Sequence, residues 1–204
     1  AVRRLADLAD GALDGFEPDD VTVVPIFMSD GYFTGEVVPR EMGLTGRVSC
    51  LRGKTVRYTA PVGSHPALAR VIVQRALESG ATRDSAVAVL GHGTPRNPKS
   101  ETNIYEQAAR VRSMHLFGEV VTAFMDQEPN MRGLLDVVTA SDVVVVPLFI
   151  ANGWHVGSTI PSELALEGPE TRRGGRRLRY ATAVGTHPMV ADVIEELAQD
   201  AATW

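Results

Sequence analysis

The chain has 204 residues, 44% of them apolar, and a net charge of −5; it is long enough for two compact lobes and too acidic for a generic nucleic-acid-binding domain. Its one cysteine, Cys50, excludes an internal disulfide and a cysteine cluster for zinc or iron–sulfur, and suits a reducing, cytoplasmic compartment. No apolar run reaches the roughly 18–20 residues that span a bilayer, the longest being the strand-sized stretch at 143–150.

Along the chain, Val2 to Leu8 reads as part of a helix, and VTVVPIF (21–27) as a strand entering the glycine-bracketed stretch GYFTGEVVPREM (31–42). RYTAPVGSHP (57–66) follows, and Ser79-Gly80-Ala81-Thr82 reads as a hinge. Ala86–Leu90 is a short apolar strand that runs into Gly91-His92-Gly93-Thr94. A helix is expected over 100–114, with Ile104, Ala108, Val111 and Arg112 at helical spacing. Then come a strand at 119–125, a helix at 129–139 opened by Pro129, and a strand at 142–149. A short helix at 158–166, a strand at 177–184 and a closing helix at 188–202, striped by Val190, Val193, Ile194 and Leu197, complete the pattern.

Residues 21–79 recur at 143–201 with a constant offset of 122, no gap, and 22 of 59 positions identical. That period is too long for a solenoid unit and marks a duplicated domain. Continuous β-branched runs such as Val143–Val146 suit strands buried on both faces, so the expected fold is α/β, two similar doubly wound parallel-sheet lobes. Residues 1–80 form the later part of a first lobe, and 81–204 a complete second lobe. The counterpart of Gly91-His92-Gly93 would fall before Ala1. The first lobe is therefore expected to be incomplete at its N-terminus, and the natural chain to extend upstream with further domains.

Duplication supplies an internal control. Residues kept in both copies are candidates for holding the fold, and residues unique to one are candidates for function. His155, in Asn152-Gly153-Trp154-His155-Val156-Gly157, is unique, since Phe33 takes its place in the first copy. His92 sits between two glycines at the end of a strand; no dinucleotide or P-loop pattern surrounds it. His65 and His187 match each other in Ser/Thr-His-Pro, and Glu41 matches Glu163, so these read as structural. Glu128 closes a strand, where it can assist proton or metal transfer or simply cap its loop; Cys50 stands opposite an arginine and has no claim as a nucleophile. Ligands of such sheets sit beyond the carboxyl ends of the strands, where His92, Glu128, His155 and His187 converge. Basic residues gather at Arg47, Arg52, Lys54 and Arg57, and again at Arg172, Arg173, Arg176, Arg177 and Arg179. Their ordinary role is a solvated edge; the sharper alternative is a rim for a polyanionic small molecule.

GHGTPRNP (91–98), AFMDQEP (123–129), VVVVPLFIANGWHVGSTIP (143–161) and AVGTHP (183–188) resemble the CbiX/SirB-type sirohydrochlorin chelatases, the ATP-independent class II kind. The resemblance covers about residues 86–200 in the expected order. It implies two lobes across a cleft and insertion of cobalt(II), iron(II) or, in some relatives, nickel into a tetrapyrrole of cobalamin or siroheme biosynthesis, without a nucleotide. The two glycine-flanked histidines of the family map onto His92 and His155, which would bind metal and accept the pyrrole protons. Imidazole suits these metals and titrates near neutrality. Gly93, Thr94, Glu128 and Trp154 are the candidate substrate contacts beside them, and the arginines are candidate partners of the ring's carboxylates. The other classes in view are a non-catalytic metal or tetrapyrrole binder and a chelatase-fold scaffold; no nucleic-acid or membrane partner is expected.

Overall fold

The computed structural model describes residues 19–94 and 99–204. The helix expected at Val2 to Leu8 and residues Pro95–Pro98 of the glycine–histidine loop lie outside them. Strands β1 (Asp20–Val23), β2 (Val48–Leu51) and β3 (Lys54–Tyr58) make a three-stranded sheet in the order β1-β3-β2. Strands β4 (Ala86–Gly91), β5 (Glu119–Phe124), β6 (Asp142–Pro147), β7 (Glu170–Arg173) and β8 (Arg176–Tyr180) make a five-stranded sheet in the order β5-β4-β6-β8-β7. β4, β5, β6 and β8 are mutually parallel, whereas the edge strand β7 runs antiparallel to β8, as β2 does to β3. Val143–Val146 is wholly buried because β6 lies between β4 and β8 and is covered on both faces.

The helices are α1 (Val38–Met42), α2 (Leu68–Glu78), α3 (Lys99–Ser113), α4 (Leu134–Val137), α5 (Ile160–Glu163) and α6 (Val190–Ala202). Two expectations change. The helix foreseen over 129–139 is one 3₁₀ turn at Met131–Gly133 and the single turn of α4. The Asn130 side chain caps the start, Val138 is extended, and the Glu119 carboxylate takes the amides of Thr139 and Ala140. The strand foreseen over 177–184 ends at Tyr180 and gives way to a 3₁₀ turn at Val184–Thr186.

The two copies correspond element by element. Phe33–Val37 and His155–Thr159 are both π-helical turns, entered by Tyr32 at φ −53°, ψ −41° and Trp154 at φ −53°, ψ −42°. Yet the copies do not fold apart. Helix α2 of the first packs on β6 of the second, and α6 of the second packs on β1 and β3 of the first. One apolar core therefore includes Val71 and Ile72 with Val144, Val146 and Val193. Polar ties flank it: His187 Nε2 lies 3.2 Å from Glu78 Oε1, and His65 Nδ1 lies 3.7 Å from Glu196 Oε2. Among the described residues, no helix is long and apolar enough to cross a membrane.

At the amino end of β6, Asp142 accepts hydrogen bonds from Ser85, from Arg179 and from Arg177 Nε at 2.8 Å. The first copy repeats the pair as Arg57 with Asp20 at 2.5 Å. Burial alone raises the Asp142 pKa, but these hydrogen bonds and the Arg179 charge outweigh it and hold the carboxyl below its usual range. A depressed folded pKa gives stability that is present above the unfolded value of about 3.9 and lost as pH falls through the folded one. Asp142→Asn should lose roughly 1–3 kcal/mol at neutral pH and flatten the acid limb of the stability curve, which urea melts between pH 2 and 7 measure.

Candidate functional site

In the order β5-β4-β6-β8-β7, the chain turns one way after β4 and the other way across β6, so the crevice beyond their carboxyl ends is the switch point of the sheet. Both glycine-flanked histidines leave the sheet there. At Gly91 a Cβ would meet Ile104 Cδ1 at 2.9 Å, so a larger residue there would force the Ile104 side chain of α3 to shift away from the strand end. At Gly93, φ is +73° and a Cβ would meet Gln127 Cγ at 2.6 Å. Between them the His92 carbonyl takes the amides of Met125 and Asp126, both at 3.1 Å, which fixes the backbone under the ring.

The His92 Nδ1 lies 2.9 Å from Gly93 O and 3.4 Å from Asp126 Oδ2. A carbonyl can only accept, so Nδ1 carries the proton and Nε2 keeps its lone pair. His155 opens the π-turn after β6, which is braced by Gly157 N on Gly153 O at 2.8 Å and by the Tyr180 hydroxyl donating to Val156 O at 2.9 Å. Burial pushes the Tyr180 phenol well above its usual pKa, consistent with a hydroxyl held as a donor. The two imidazole centroids are 5.1 Å apart with planes at 86°, and Phe149 stands 6.3 Å from His92. Beside them is a cavity of about 310 Å³ whose lining includes Met28 and Ser29 from the first copy and His92, Gly93 and Ile150 from the second.

The remaining candidates divide. Thr94 N donates to Gln127 Oε1 at 2.7 Å, so the loop after Gly93 is held, and Trp154, the residue before His155, is 77% exposed. Glu128 turns into its own loop, with Oε2 accepting Asn130 N at 2.8 Å, and is not brought to the imidazoles by any bond. His187 is buried; its Nδ1 accepts Met189 N at 3.1 Å at the start of α6, and its Nε2 faces Glu78. Glu163 pairs with Arg132 at 2.9 Å.

The arginine segments are not at this edge. Arg172, Arg176, Arg177 and Arg179 lie on β7 and β8, with Arg177 and Arg179 in register with Asp142 and Val144, roughly 10–17 Å of strand short of the carboxyl end of β6. Arg177 and Arg179 are taken by Asp142, and Arg176 by the carbonyl of Val138 at 2.6 Å. Asp126 is the residue that sequence reasoning passed over. It lies two residues past the end of β5 inside AFMDQEP, two residues before the glutamate that drew attention, and only the pairing of β5 with β4 sets it beside His92. Among the described residues, no group of three or more His, Cys, Asp or Glu side chains is arranged to hold a metal ion.

Comparison with known proteins decides the family. Residues 8–79 and 86–201 each match the CbiX family model, dividing the chain as the internal repeat does. The chain belongs to the CbiX family of chelatases. It is 38% identical over 213 residues to a probable sirohydrochlorin cobaltochelatase of Halobacterium salinarum, covering 91% of this chain and 73% of that one. A multi-domain protein of Deinococcus radiodurans, described as structurally similar to chelatases with two additional novel domains, superposes with a TM-score of 0.80 at 29% identity. That match covers 93% of this chain and 43% of the other. The sirohydrochlorin chelatase SirB of Bacillus subtilis subspecies spizizenii, solved with cobalt, shares the fold at a TM-score of 0.69 and 17% identity, over 97% of this chain and 75% of that one.

The turn that carries His155 is braced by the Tyr180 hydroxyl. Tyr180→Phe should cost about 1 kcal/mol by urea denaturation, and should broaden the His155 ring resonances in NMR spectra while leaving those of His187 unchanged.

Proposed function

We propose that this chain inserts a divalent metal, cobalt or iron, or nickel by the same donor preference, into a sirohydrochlorin-like tetrapyrrole. The observation that carries the proposal is the pair of imidazoles across the switch point. Two rings each about 2.1 Å from a shared ion have centroids on the order of 5 Å apart, and the centroids of His92 and His155 are 5.1 Å apart. Two protein donors leave coordination positions for water and then for ring nitrogens. A third strong ligand would hold the ion too firmly to pass it on. The curated relative's name and the cobalt-bound SirB support cobalt as a metal to test.

In this reading His92 Nε2 and His155 capture the ion, and Gly93, Thr94 and Trp154 border the space that the macrocycle enters. Two pyrrole N–H bonds break, two protons leave, and the four ring nitrogens take the place of water and imidazole on the metal. The two imidazoles released from the metal are bases suited to receive the two protons. Asp126 Oδ2, 3.4 Å from His92 Nδ1, faces the ring from the far side and helps to orient it. Coordination by the ring nitrogens supplies the driving force, so no nucleotide enters the cycle. The repeat units proposed are 1–80 and 81–204, with packing that crosses the boundary between them, and the compartment proposed is a reducing cytoplasm in which Cys50 stays a free thiol.

Anaerobic incubation with sirohydrochlorin and cobalt(II), followed by visible absorption, separates turnover from stoichiometric binding and from no change. His155→Phe is the sharpest variant, because the first copy builds the same turn around Phe33. It should melt with the parent protein and lose at least a hundredfold in insertion rate. His187→Ala, which removes the tie to Glu78, should instead lower the melting temperature and spare turnover at low temperature.

A further inference from the structure

Exposed large apolar side chains gather at Ile26, Phe27, Tyr32 and Phe33, and the second copy separates them into two kinds. Leu148, the counterpart of Ile26, is 2% exposed because its strand runs beside β4, with Leu148 N bonded to Leu90 O at 2.8 Å. The 51% exposure of Ile26 therefore reflects the lack of such a neighbour among the described residues. Tyr32 at 50% and Phe33 at 52% are different. Their counterparts Trp154 and His155 are exposed even though the second sheet has its central strand. Presentation of these two side chains is a property of the turn.

That turn is built alike in both copies, and the Tyr58 hydroxyl donates to Thr34 O at 2.9 Å just as Tyr180 does to Val156 O. On the same scaffold one copy offers Trp154 and His155, and the other offers two aromatic rings in edge-to-face contact, centroids 5.9 Å apart. The approach to Tyr32 is anchored to the site. Met28 and Ser29 line the cavity with His92, and Asp30 N donates to Asn103 on α3 at 3.3 Å.

We infer that Tyr32 and Phe33 are the wall on which the far face of the tetrapyrrole rests, leaving metal entry to the face served by His92 and His155. The inference rests on the chelatase reading above. A pair of half-exposed aromatic rings fits a broad, flat, apolar-faced ligand, which stacks on them and leaves its carboxylates at its rim in water. Phenylalanine also differs from histidine in having no lone pair. An imidazole on this wall would bind the inserted metal from the second side and hold the product between two nitrogen donors.

Anaerobic titration of metal-free sirohydrochlorin into the whole chain tests the wall, read by tryptophan quenching and ring absorption. The Tyr32→Ala/Phe33→Ala double variant should bind the ring about tenfold more weakly, with cobalt(II) affinity and melting temperature unchanged. Phe33→Trp, which keeps an aromatic face, should bind at least as tightly as the parent. Phe33→His should insert cobalt in a first turnover and then release product more slowly, with the spectrum of a two-imidazole complex. Parent-like ring affinity in the double variant, or a tenfold loss in Phe33→Trp, overturns the inference while the chelatase reading stands. Failure of the parent protein itself to bind or metallate sirohydrochlorin overturns that reading and the wall with it.

Discussion

The exchange of closing helices between the two copies is the interaction on which the rest of the molecule depends. α2 leaves the first copy to cover β6, and α6 leaves the second to cover β1 and β3. Val71 and Ile72 thus share one buried cluster with Val144, Val146 and Val193. One face of the five-stranded sheet is completed by the first copy's helix, while its other face is closed within the second copy by Leu134, Val156, Ile160 and Leu164. The duplicated Thr-His-Pro and Ser-His-Pro segments start these helices, and their imidazoles reach the opposite copy at Glu78 and Glu196. Burial works against the Glu78 charge, but hydrogen bonding and charge from His187 prevail and lower its pKa. Arg75 joins the same tie through Thr186 at 2.8 Å.

This coupling is what allows one copy to furnish the imidazoles and the other a share of the cavity. Gly63 and Gly185 show how closely the shared scaffold is drawn. A Cβ there would lie 2.0 Å from Met28 O and 2.3 Å from Ile150 O, so only glycine lets the loop after β1 or β6 lie against the 3₁₀ turn before α2 or α6. Met28 and Ile150 in turn line the cavity beside His92. The parts that set loop positions are identical between copies, and the copies diverge where the turn presents its side chains. Phe33 and His155 occupy one backbone, and the difference between them is purely chemical.

Much of this was legible in the amino-acid sequence because duplication separates scaffold from chemistry. His92 and His155 emerged from glycine spacing and from the single mismatch with Phe33, and the all-valine strand announced its own burial. Other features depend on contacts remote in sequence. The hairpins β2–β3 and β7–β8 were missed, although each turns on a residue pair of positive φ, Arg52-Gly53 and Gly174-Gly175, that a hairpin requires. The helix expected at 129–139 stops at Val137, and the Glu119 carboxylate, a partner twenty residues away, takes the amides of Thr139 and Ala140 beyond it. Charge counting left the arginines between a solvated edge, their ordinary role, and a ligand rim, whereas strand register turns Arg177 and Arg179 toward the amino end of β6, where Asp142 collects them. Asp126 needed the register of β5 on β4 to be seen at all.

The central claim is that the His92 and His155 imidazoles together hold the incoming metal. X-ray absorption fine structure on the whole chain, loaded anaerobically with one equivalent of cobalt(II), tests it most directly. The account predicts two imidazole shells in an otherwise oxygen-ligated ion, at about 2.1 Å by analogy with other imidazole–metal bonds. A cobalt shell of oxygen alone, or one with a single imidazole that persists when His155 is replaced, would contradict it.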